Sequence, residues 1–113
     1  MQMPASPESV PLAVNPSREM LLALWQRGLP RLHDRLAELD RATAEALAGT
    51  LTAELCQHAA DTAHKLSGSL GMFGYTEATG VARDIELLLE APSPLNPITL
   101  QALTTALRHT LNL

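Results

Sequence analysis

Cysteine, aromatic residues and cationic charge are all scarce in this chain of 113 residues. The one cysteine, Cys56, has no partner for an internal disulfide, which fits a reducing compartment. Trp25, Phe73 and Tyr75 are the only aromatics, and β-branched residues are few, so neither ring stacking nor sheet formation can dominate a core. Eight Lys and Arg stand against twelve Asp and Glu, a net charge of -4. That balance argues against nucleic-acid binding through phosphate neutralisation and against an anionic membrane surface. No apolar run approaches the ~20 residues a membrane-spanning helix needs. The N-terminus lacks a basic stretch followed by an apolar run, so no signal peptide is expected, and the chain reads as cytoplasmic.

What is present is leucine and alanine. Apolar residues make up 46% of the chain, enough for one domain with a core of closely packed helices. Residues 1–16 hold Pro4, Pro7, Pro11 and Pro16 and show no periodicity, which predicts a flexible leader ahead of a domain over 17–113. Ser17 suits an N-cap, and Met20, Leu21, Leu24 and Trp25 form a short apolar stripe that stops at Gly28. A second helix is expected from Leu29-Pro30 to Gly49, with a seam of Leu29, Leu32, Leu36, Leu39, Thr43, Ala46 and Leu47. Thr52 suits the cap of a third, whose inner face is Leu55, Ala59, Ala63, Leu66, Leu70 and Phe73. Thr76 suits the cap of a fourth, built on Ala78, Ala82, Ile85, Leu88 and Leu89. Asn96-Pro97 opens the last, built on Leu100, Leu103, Leu107 and Leu111. The expected fold is all-α: an antiparallel up-down four-helix bundle with a short extra N-terminal helix. Such a core closes within one chain, which suits a monomer.

The third helix carries the chemistry. With His64 at zero on a wheel of ~100° per residue, its apolar residues centre near ~210°. His64 therefore points away from the core. Gly68 falls near ~40° and Gly71 near ~340°, beside the histidine instead of on the packing face. A glycine inside a helix costs on the order of 1 kcal/mol relative to alanine. With no packing benefit to set against that, these glycines read as a clearing that lets something approach the imidazole. Ala60, Asp61 and Ser67 complete its surroundings.

An exposed neutral imidazole has one nitrogen with a free lone pair, able to attack a phosphoryl group presented in line. The chain has no Gly-rich phosphate loop and no clustered carboxylates for Mg²⁺, so a partner must bring the metal. The bland alternative is a solvated surface histidine.

The segment Ala63-His64-Lys65-Leu66-Ser67-Gly68-Ser69-Leu70-Gly71 resembles the signature of histidine-containing phosphotransfer (HPt) domains. In that family an Ala-His pair is followed by an apolar residue, a glycine four after the histidine, a small residue and a further glycine. The likeness continues through Ala82-Arg83-Asp84-Ile85-Glu86, and from Leu24-Trp25 onward the chain is similar to HPt domains that stand within larger response-regulator proteins. The resemblance implies that His64 carries a phosphoryl group in a two-component phosphorelay. It also implies that Gly68 lets the receiver domain of a response regulator, or of a hybrid histidine kinase, dock. The chain would need no cofactor of its own, with Mg²⁺ in the partner receiver. Many family members have lysine three residues after the histidine, where this chain has Ser67; Lys65 and Arg83 are the nearest substitutes. Two rivals remain: a module that docks a receiver without accepting phosphate, and the phosphoacceptor domain of a chemotaxis-type kinase.

The other candidates carry less. His33 and His58 flank apolar seams, and His109 faces outward without a cleared surface. No HExxH or other ligand spacing suggests a metal. Asp61 can reach His64 or Lys65 along the helix. Cys56 reads as a small, partly buried residue, and Met72 with Phe73 as bundle packing. Leu21, Leu24 and Trp25 either cover one end of the bundle or belong to a docking surface.

Overall fold

Ser17 starts the first helix by accepting a hydrogen bond from the Met20 amide at 3.0 Å. The computed structural model describes residues 17–113, and the expected leader over 1–16 lies outside the described residues. Four helices follow in order: α1 over Arg18–Ala48, α2 over Ala53–Met72, α3 over Thr76–Glu90 and α4 over Pro97–Leu111. Short connections make neighbours antiparallel, and each helix packs against two others, α1 on α2, α2 on α3, α3 on α4 and α4 on α1.

The ends obey local chemistry. Gly49 takes the left-handed conformation at φ 76°, and the amides of Gly49 and Thr50 return to the carbonyls of Ala46 and Glu45. Thr52 accepts from the Leu55 amide at 3.1 Å. Asn96 accepts from Ile98 and Thr99, with Pro97 at the first helical position. Thr76 is not the cap expected: Tyr75 holds that position without a side-chain bond, and Thr76 is the first residue of α3. The left-handed turn at Gly74, φ 81°, has already redirected the chain there.

The expected short first helix does not stand apart. Its residues are the N-terminal turns of α1, which runs unbroken through Gly28 and Pro30. Proline inside a helix removes one hydrogen bond and crowds the preceding turn. Tertiary packing outweighs that penalty here. Trp25, Leu29, Leu32 and Leu36 keep one helical face in phase across the break. Trp25 also stacks on Tyr75 at 4.8 Å and meets the edge of Phe73 at 5.4 Å, clamping the first turns to the connection between α2 and α3.

Leu36, Leu39, Leu66, Leu70, Ile85, Leu100 and Leu107 are the largest fully buried side chains. Ala42, Ala59, Ala60, Ala63, Ala78 and Ala82 fill the space between them. Leu47, expected in a seam, is exposed, because the core has ended by the last turn of α1. The buried hydroxyls are satisfied: Thr43 donates to the Leu39 carbonyl, Thr104 to Gln101, and Thr62 to Glu38 Oε1 at 2.8 Å.

That last bond ties α1 to α2. Glu38 also faces His58, Nε2 to Oε2 at 3.3 Å. The Thr62 hydroxyl, above all, holds the Glu38 carboxyl below its ordinary range; partial burial opposes this, and the His58 bond and charge and the Lys65 charge assist.

Two predictions follow from the packing of α1. Trp25→Ala lowers stability by about 2 kcal/mol in urea unfolding, and amide exchange quickens over 18–29 before it does in the core. Uniform exchange across α1 would contradict the clamp. For Glu38 the folded carboxyl titrates below the unfolded one. Its contribution is therefore complete above the unfolded value and is lost as pH falls through the folded one. Glu38→Gln is accordingly expected to destabilise at neutral pH, with the difference from wild type vanishing under strongly acidic conditions.

Candidate functional site

His64 stands midway along α2 with 73% of its side chain exposed, as far from the core as the helical wheel requires. Its Nδ1 lies 3.0 Å from Oε2 of Glu86 on α3, a carboxylate only 17% exposed. Carboxylate oxygens accept, so the ring nitrogen facing them carries the hydrogen and donates it. Nε2 is left with its lone pair, pointing where Glu86 is not. In the neutral ring the pair thus favours one tautomer and leaves Nε2 as the outward nitrogen.

Small side chains make the contact possible. Ala60 and Ala63 on α2 and Ala78 and Ala82 on α3 are buried to within 1%. They let the two helices meet along the most extensive of the four helix contacts. Glu86 lies one turn beyond Ala82 on the same flank of α3 and so arrives beside His64.

Gly68, one turn after the histidine, is exposed, and a Cβ built there would meet nothing within 4 Å. No neighbouring helix requires it to be glycine. Its effect is to keep the surface beside the imidazole bare. Gly71 is also exposed, and a Cβ there would meet the Thr79 side chain at 3.7 and 3.9 Å, ordinary contact, so it borders α3 at the edge of the open strip.

Several expected site residues are placed elsewhere. Ala60 and Ser67, expected among the docking contacts, are 1% and 7% exposed. They lie on the flank of α2 that α3 covers, and the expected buried face was too narrow because it allowed for one neighbouring helix instead of two. The Ser67 hydroxyl donates to the His64 carbonyl at 2.7 Å, which occupies its proton within the helix. Asp61 is exposed but accepts from Gln57 Nε2 at 3.1 Å; it engages neither His64 nor Lys65. Lys65 is exposed on the side toward α1, where its charge reaches Glu38. Arg83 is exposed on α3, three residues before Glu86.

Met72 corrects another expectation. It is 71% exposed and does not pack in the bundle; two turns beyond His64, it places an apolar, adaptable side chain next to Gly68. Phe73 is half-buried against Trp25, as packing required. His33 and His109 are exposed, and His58 is engaged with Glu38. Cys56 is half-buried and donates from Sγ to the Leu89 carbonyl at 3.3 Å. Among the described residues no three of His, Cys, Asp and Glu converge as a metal's ligands would, and no helix is long and apolar enough to cross a membrane.

Glu86 is the participant that sequence reasoning missed. Its spacing from Ala78 and Ala82 places it on the α2-facing flank of α3, and that was available. The register that sets it level with His64 depends on the turn at 73–75, which no local pattern specifies.

The family model described as "Hpt domain" matches residues 23–112. A relative from Microchaete diplosiphon, Protein RcaC, is 32% identical over 88 residues, which cover 75% of this chain and 14% of the relative. The chain thus corresponds to a small part of that protein's length. No solved structure matches.

The His64–Glu86 contact has a direct spectroscopic consequence. Glu86→Gln replaces an acceptor-only group by one that also donates, so the preference for hydrogen on Nδ1 is expected to fall severalfold. Imidazole ¹⁵N shifts measure the ratio, and an unchanged ratio would mean that Glu86 does not set the tautomer.

Proposed function

The chain belongs to the Hpt domain family, whose members serve phosphotransfer in two-component phosphorelays, and on that premise we propose that His64 is its phosphoacceptor. The donor in this reading is the aspartyl phosphate of a receiver domain. The His64–Glu86 geometry is the observation that supports it most.

Nε2 attacks phosphorus in line, the N–P bond forms and the acyl P–O bond breaks, and the receiver's aspartate leaves as a carboxylate. The ring then holds phosphorus on Nε2 and hydrogen on Nδ1, which puts positive charge on the imidazole. Glu86 is placed to stabilise that charge, as a carboxylate behind a histidine does in other nucleophilic sites. Reversal restores the neutral ring, so the same geometry serves acceptance and donation. The Mg²⁺ in this reading is the partner's and neutralises charge on the transferring phosphoryl.

Gly68 is the point of closest approach, and Met72 beside it is an apolar anchor for the arriving surface. The absence of lysine at position 67, with the serine hydroxyl turned inward, favours one second reading: a module that docks a receiver and takes no phosphate.

Transfer from a panel of phosphorylated receiver domains, read by intact mass, tests both. The expected result is one added, acid-labile phosphoryl in wild type and none in His64→Gln. Tight binding of a receiver without label would favour the docking module. Gly68→Leu is expected to raise the melting temperature, since it removes a helix-interior glycine, while slowing transfer more than about tenfold. Transfer at the wild-type rate in that variant would refute the role given to the bare strip.

A further inference from the structure

Outside the His64 strip, a groove of about 400 Å³ runs between α1 and α2. Arg27, Arg31 and Arg35 line it at four-residue intervals, with Trp25 and Phe73 toward one end and Ser69 on the α2 wall. We propose that this groove docks an acidic strip of the partner receiver domain, the three arginines acting as its cationic rail. The identity of that partner rests on the phosphotransfer reading above.

Like charges one turn apart repel and weaken a helix, so three arginines in succession do nothing for the stability of α1. None is in an ion pair among the described residues, where the pairs are Arg108–Asp40, His58–Glu38 and His64–Glu86. The chain as a whole is anionic, at -4, yet these cations are gathered on one groove. Solvent screens these exposed and half-exposed arginines as they stand, but a cluster of three with no carboxylate in an ion pair is complementary to a carboxylate-bearing surface.

On the helical wheel of α2, Ser69 lies ~100° from Gly68 with Met72 and Lys65 between them, so the groove and the bare strip occupy adjacent faces of that helix. Glu38 is level with Thr62, and antiparallel packing then sets Arg35 near Lys65 and Arg31 near Ser69. Lys65 continues the rail to the edge of the histidine face. A protein seated on Gly68 and Met72 would meet Lys65 first and the arginines beyond it.

The partner strip in this reading carries carboxylates, the groups that pair with arginine most specifically. Each step along the rail rises ~6 Å, the spacing of carboxylates on successive turns of a helix. Phosphate alone spans only one such step. Arginine beside tryptophan is also the composition of protein-interface anchors.

The test uses the full chain, a triple variant (Arg27→Glu, Arg31→Glu, Arg35→Glu) and its milder counterpart with Gln at the same positions. Two probes are applied: the phosphorylated receiver panel, and a helical peptide with Glu at every fourth position, with inorganic phosphate as control. In wild type the peptide is expected to shift amides over 27–35 and 69–73, and in the Glu variant it shifts none. For a receiver that labels His64, kcat/KM is expected to fall about tenfold or more at low salt, all of it in KM. The gap narrows as ionic strength rises, and the Gln variant lies between.

Three outcomes would overturn the proposal: transfer to the Glu variant with wild-type kcat/KM and salt dependence, a peptide that shifts no groove amide, or phosphate alone giving the same shifts, which marks a small-anion site. If a receiver binds wild type tightly yet does not label His64, while the peptide still seats in the groove, the phosphotransfer reading fails and the acidic docking channel stands.

Discussion

The close approach of α2 and α3 is the constraint on which the remaining features depend. It is made by alanines: Ala60 and Ala63 on one helix, Ala78 and Ala82 on the other, all buried to within 1%. Were these larger, the helices would separate by the width of the added side chains, and Glu86 could no longer reach Nδ1 at 3.0 Å. The core of the bundle and the orientation of the exposed imidazole are consequences of one packing decision. A side chain 73% open to solvent would ordinarily sample several rotamers; here the adjoining helix supplies a fixed acceptor.

The same packing explains which parts of the molecule could be read from sequence. Leucine and alanine at three- and four-residue steps identified every long helix, and Ser17, Thr52 and Asn96 cap as their side chains allow. His64 was legible because an isolated residue opposite an apolar stripe must face outward. What could not be read were features that depend on two elements at once. Ala60 and Ser67 resemble surface positions on a wheel drawn for α2 alone, and they are buried because α3 covers that flank. Gly28 and Pro30 look like a helix boundary until Trp25 is seen held between Tyr75 and Phe73 across the far end of the bundle. Met72 follows from neither cause: its wheel position lies beside Gly68, on the open side, and apolar character alone misplaced it in the core.

The two flanks of the histidine strip differ electrostatically, and the difference has a physical logic. Toward α3 stands one carboxylate, close and mostly covered, so it acts on a single ring nitrogen. Toward α1 stand Lys65 and the arginines, exposed or half-exposed and spread over several turns, so they act at longer range on whatever approaches. Reversing the two arrangements would serve neither purpose. A buried cation behind the imidazole would favour a lone pair on Nδ1, facing inward, and a row of carboxylates on the groove would repel an anionic donor.

Ser67 fits this division. With serine there, the hydroxyl closes onto the His64 carbonyl and the Glu86 carboxylate keeps the imidazole as its partner. The cations of this region, Lys65 and the arginines, stand on the α1 side of the strip. Under the proposed phosphotransfer, charge neutralisation at the acceptor falls to the partner, and the arginines of this chain are left to draw an anionic surface in.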